Sequence, residues 1–92
     1  MKKYPISHYK KSGSSLFING GTLTVTDSEY LVEYLNKEVV RFSLRDTVVT
    51  KVHPELLYEG IRLTHNGQFI DLYFPKMGKT IRELREHFHM TD

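Results

Sequence analysis

From Thr22 to Phe74, apolar side chains recur at every second position in one short run after another, and polar or glycine-containing turns separate the runs. Leu23 and Val25 alternate with Thr22, Thr24 and Thr26. Val40, Phe42 and Leu44 alternate with Arg41, Ser43 and Arg45. Ile70, Leu72 and Phe74 alternate with Phe69, Asp71 and Tyr73. A strand turns successive side chains to opposite faces, so a period of two marks strands with one face in a core. A helical bundle would instead repeat its apolar positions every three or four residues.

The turns set the strand count. Asn19-Gly20-Gly21, Asp27-Ser28-Glu29, Asn36-Lys37-Glu38 and Asp46 separate strands expected over 16–18, 22–26, 30–35, 39–44 and 47–53. His53-Pro54-Glu55 ends the last of these, because proline cannot donate to a ladder. Strands over 56–64 and 68–74 flank Asn66-Gly67, the pair that favours a type I′ hairpin. Pro75 and Gly78 end the sheet. A helix over 80–90 then opens with a capping box, Thr80 with Glu83, and carries Ile81, Leu84 and Phe88 on one apolar stripe. The fold class is mainly β with one C-terminal α-helix: a curled antiparallel meander, or partly open barrel, of six to seven strands capped by that helix.

Ninety-two residues fit one domain with a thin core. Residues 1–15 read as a flexible basic segment, and 16–92 as the domain. Lys2, Lys3, Lys10 and Lys11 belong to that segment; of the chain's 13 basic side chains they leave nine against 11 acidic ones, so the body carries −2. A nucleic-acid-binding body usually shows a basic face of its own. The chain has no cysteine, which rules out disulfides and thiolate metal sites and fits a reducing, cytoplasmic setting. No apolar run reaches the roughly 18 residues of a membrane span, and the N-terminus lacks the apolar centre of a signal peptide.

The order of these elements carries a resemblance. Gly21 to Phe88 reads Gly-Thr-Leu-Thr-Val-Thr, an aromatic-apolar strand, a basic strand ending Phe-Ser-Leu-Arg-Asp-Thr-Val at 42–48, an Asn-Gly hairpin and a closing helix. This resembles the pleckstrin-homology-like superfold, in particular its GRAM and bacterial PH-like branches. In lipid-binding PH domains a basic motif surrounds the first hairpin; here that hairpin is the acidic Asp27-Ser28-Glu29, so the phosphoinositide site is not carried over. A shared fold does not license a shared function.

Tests for chemistry return little. The five histidines lack the spacing that zinc requires, and Ser14-Ser15 has no nucleophile elbow around it. Gly20-Gly21 is followed by a strand rather than the helix a phosphate loop needs. The expectation is a non-enzymatic module with no cofactor and no metal. Two surfaces stand out. Lys37, Arg41 and Arg45 line one side of a strand, where arginine could grip phosphate or pair with an acid such as Glu33 or Glu59. Phe69 and Tyr73 lie opposite Ile70, Leu72 and Phe74, which marks a face covered by Leu16-Phe17-Ile18, a subunit or partner interface, or a surface on which a ligand stacks. The functions in contention are a protein partner or homo-oligomer, anionic lipid met through the basic tail with Arg41 and Arg45, and, third, a nucleic-acid-associated regulator.

Overall fold

A computed structural model describes residues 1–11, 17–76 and 79–87. The described strands are β1 (Lys2–Pro5), β2 (His8–Lys11), β3 (Phe17–Asn19), β4 (Thr22–Val25), β5 (Glu29–Tyr34), β6 (Lys37–Ser43), β7 (Val48–Glu55), β8 (Tyr58–His65) and β9 (Gln68–Pro75); helix α1 (Lys79–His87) follows. They form two antiparallel sheets, one of four strands in the order β1-β4-β5-β6 and one of five in the order β3-β2-β9-β8-β7. The mainly β expectation holds. The strands do not close into a barrel: the described strand segments are divided between two sheets, and β6 and β7, consecutive in the chain, lie at the edges of different sheets.

The N-terminal expectation is overturned where the structure describes it. Residues 2–11 are not a loose lead-in; β1 pairs with β4, and β2 pairs with both β3 and β9. Tyr4, Ile6 and Tyr9 are core residues. The path bends at Ile6-Ser7, opposite a second bend at Gly20-Gly21, so that one hairpin runs from sheet to sheet. Backbone hydrogen bonds lock the corner: the Ile6 N–H donates to the Gly21 carbonyl at 3.0 Å, and the Gly20 N–H to the Ser7 carbonyl at 2.6 Å. Gly21 sits at φ 118, and a Cβ there would lie 2.8 Å from the Glu33 carbonyl oxygen, so only glycine fits. Pro5 is harmless because β1 is an edge strand.

The period-two pattern sorts the core as expected. Leu23, Val32, Leu63, Ile70, Leu72, Phe74 and Leu84 are fully buried, with Val25, Tyr30, Val40, Phe42 and Ile61 close behind. Burying a side chain of this size is worth roughly 1.5–3 kcal/mol, the main term holding the sheets together. Burial pushes the Tyr4, Tyr9 and Tyr30 hydroxyls above the ordinary tyrosine range, and the negative charge of Glu83 on α1 adds to the effect at Tyr4. Of the helical stripe, Leu84 enters the core; residues 88–90 lie outside the described part.

Two strand ends also differ from expectation. Pro54 does not end β7, which continues to Glu55 with a register shift between Val52 and Glu55. An edge position tolerates both the missing N–H and the bulge. Leu56 does not begin a strand either. Leu56 and Leu57 form the turn, and β8 starts at Tyr58.

Candidate functional site

The Asn66-Gly67 turn sets the register of the face turned away from the core. Asn66 at φ 50 and Gly67 at φ 80 adopt the left-handed geometry expected of that pair. His65 then faces Gln68, and counting back along both strands brings Thr64 opposite Phe69, Arg62 opposite Asp71 and Gly60 opposite Tyr73. On the next strand, His8 lies opposite Tyr73 and Lys10 opposite Asp71.

Arg62 is clamped. Its Nε donates to Asp71 Oδ1 at 2.7 Å and one terminal nitrogen donates to Oδ2 at 3.0 Å, the bidentate geometry in which a planar guanidinium matches a carboxylate. The same guanidinium stands 4.1 Å from the centre of the Phe69 ring. Asp71 is buried while Arg62 keeps 40% of its side chain exposed, so the pair presents its cationic half outward. The hydrogen bond it donates to Asp71 holds the guanidinium pKa above its ordinary value.

Of the alternatives for Tyr73, the structure shows a covered ring and not one open to a partner. It is 8% exposed. The His8 ring stacks on it at 4.6 Å, with 9° between planes, and Tyr58 meets His8 edge-on at 5.0 Å. Tyr73 also lies across Gly60, where an added Cβ would come within 2.9 Å of the ring. His8 of β2 therefore covers Tyr73; β3 pairs with β2, and the expected cover from 16–18 falls on side chains outside the described ones. Phe69 is half-buried beneath Arg62.

The other predicted trio is not brought together. Arg41 is held by Glu29 at 2.8 Å and Glu38 at 3.0 Å, rather than by Glu33 or Glu59, and hydrogen bonds to Glu38 and Glu29 raise its pKa. Lys37 opens β6, and Arg45 lies in the turn beyond Ser43 at its far end. Six residue steps of roughly 3.3 Å separate Lys37 from Ser43 alone, about 20 Å.

Ser43, Asp46 and His65 do meet. The Ser43 hydroxyl donates to Asp46 at 3.2 Å and lies 3.5 Å from His65 Nε2, while the imidazole stacks on Phe42 at 5.1 Å. In a catalytic relay the acid orients the far nitrogen of the imidazole. Here acid and imidazole both face the serine, so the acid does not position the base. Among the described residues no three metal-ligating side chains cluster, and no described helix is long and apolar enough to cross a membrane. Among the described residues, two of the depressions are an open groove of about 400 Å³ lined by Lys3, Gly21, Thr22, Glu33, Leu35 and Asn36, and a more apolar one of about 320 Å³ at Pro5, Ile6, Ser7, Pro75 and Thr80.

Compared with models of protein families, with characterised proteins and with solved structures, the chain matches none.

Sequence reasoning missed Arg62, Asp71, His8 and Tyr58. The signal for the first two was present: once Asn66-Gly67 is a two-residue turn, pairing Arg62 with Asp71 is arithmetic. His8 and Tyr58 had no such signal, because β2 joins the sheet from the far end of the chain.

Proposed function

We propose that this chain is a non-catalytic, PH-like binding module of the cytoplasm that recognises a protein, a second copy of itself included, through the outward face of the five-stranded sheet. The observation that carries this is the Arg62 clamp. Arginine and aromatic side chains dominate the energetics of protein interfaces. An arginine already fixed by Asp71 and resting on Phe69 loses little rotamer freedom on binding, and avoided ordering of this kind raises affinity. Phe69 thus keeps its place in the reading, whereas Tyr73 supports the face from beneath. The PH-like part is supported by antiparallel strands folded into two sheets with one helix arriving last.

A phosphate-binding surface at Lys37, Arg41 and Arg45 has less in its favour. To reach an anion, Arg41 would have to release Glu29 and Glu38.

A photo-cross-linking residue placed at Thr64, beside Phe69, tests the module. Discrete adducts should form in living cells and disappear when Arg62 becomes Glu. Their mass, with sedimentation equilibrium of the purified chain, separates a second copy from another protein. If no adduct forms, or if Arg62→Glu leaves the adducts unchanged, the reading fails.

A further inference from the structure

The β7–β8 hairpin ends in Leu56-Leu57, which are 89% and 65% exposed. Two-residue turns favour glycine, asparagine, aspartate, proline and serine, each for a local reason that leucine lacks. Leucine here gains neither turn geometry nor burial, and a local rule broken without a structural gain points to function.

We propose that this tip enters the interfacial layer of a phospholipid bilayer, a site separate from the Arg62 face. Shape is the first argument. The tip is convex, so it can bury both leucines in a deformable acyl layer, whereas a protein partner must supply a matching pocket. The second argument is the backbone. The Leu57 carbonyl is occupied by the Lys76 N–H at 3.0 Å, so it enters an apolar layer without losing a partner. Exposed Pro54 and Pro75 flank the tip and have no N–H to offer an added strand. The third argument is charge. Lys76 lies exposed directly beside the turn, where an anionic lipid headgroup would meet it. The apolar contact therefore dominates, and anionic lipid adds a modest, salt-sensitive part.

Co-sedimentation of the full chain with phosphatidylcholine vesicles, with and without phosphatidylserine, tests the proposal. The chain should partition onto both and bind a few-fold more strongly with phosphatidylserine. Leu56→Ser with Leu57→Ser should lower partitioning about tenfold or more, since burying each leucine is worth at least that factor. Its thermal midpoint should stay at the parent value, because both side chains are exposed. The chain has no tryptophan, so Leu57→Trp gives a single reporter whose emission should shift to the blue with vesicles. No partitioning of the parent chain, equal partitioning of the double serine variant, or an unshifted tryptophan each overturns the proposal. So does leucine-dependent self-association without vesicle binding, which would give the tip to a second copy instead. The cross-linking at Thr64 is unaffected by any of these outcomes.

Discussion

The outward faces of the two sheets each hold an arginine tied to carboxylates, but they place the acid differently. On the four-stranded sheet Arg41 reaches Glu29 and Glu38, whose side chains are 33% and 50% exposed; on the five-stranded sheet Arg62 reaches Asp71, only 6% exposed. The turns differ in the same sense. Asn66-Gly67 supplies residues suited to left-handed geometry, whereas the turn between β5 and β6 forces Leu35, at φ 51, into the same region beside Asn36 at φ 62. One sheet has a packed outer face and a matched turn. The other has carboxylates that water reaches on its outer face, and a mismatched turn. The contrast teaches that arginine–carboxylate pairs differ in energetic weight according to whether water reaches the acid.

The sharpest way to break the packed face is Gly60→Ala. The new Cβ would collide with Val52 Cγ2 and lie 2.9 Å from Tyr73 Cε1, forcing apart the Tyr73–His8 stack. Overpacking of this kind costs roughly 2–3 kcal/mol, measured as lost stability in urea unfolding. No comparable glycine on the four-stranded sheet has a cross-strand ring lying on it. If Gly60→Ala unfolds at the parent midpoint, the face is looser than the structure draws it.

Next comes the clamp. Arg62→Ala strands a buried carboxylate, and roughly 1–3 kcal/mol should be lost; a fully buried pair would cost more, but water reaches the exposed side of Arg62. Asp71→Asn keeps an acceptor for the guanidinium and should cost less than Arg62→Ala. The reverse order would place the energetic weight on the arginine rather than on the buried acid. Cation–ring contact with Phe69 adds a smaller share.

Much of this was legible in the sequence, for identifiable reasons. Val40, Phe42, Ile70, Leu72 and Phe74 alternate without interruption, so their burial follows from pleat geometry alone. Tyr4, Ile6 and Tyr9 were invisible to the same reading because the chain bends at Ile6-Ser7: the period of two restarts there, and four lysines and a proline nearby disguise two strands as a tail. The candidate site divides likewise. Phe69 and the Arg62–Asp71 pair follow from the Asn-Gly turn by local counting, whereas the covering of Tyr73 depends on His8, more than sixty positions earlier. Nothing local encodes that contact. The exposed Leu56-Leu57 turn was misread because apolar residues next to a strand look like its continuation.

The mismatched turn allows a gain of stability. An L-residue in the left-handed region costs roughly 1–2 kcal/mol, and asparagine relieves part of that through its short polar side chain. Leu35 is 79% exposed, so little burial is lost on replacing it. Leu35→Asn should stabilise the chain by about 0.5–1 kcal/mol in chemical unfolding. The same exchange made at Leu57, where φ is not positive, should bring no such gain. Equal effects at both positions would show that the gain comes from removing an exposed leucine and not from relieving backbone strain.

The smallest effect belongs to Arg41, and it closes the comparison. Its side chain is 46% exposed and its two acids lie in solvent, so removing it leaves charges that water can solvate. Exposed ion pairs of this kind contribute little and are screened by salt. Arg41→Ala should leave the thermal midpoint within about a degree of the parent in 0.15 M salt, and the remaining difference should shrink as salt rises. Arg62→Ala should instead keep most of its deficit at high salt, because Asp71 remains buried whatever the ionic strength. Were the two arginines to respond alike to salt, burial of the acid would not be what distinguishes the two faces.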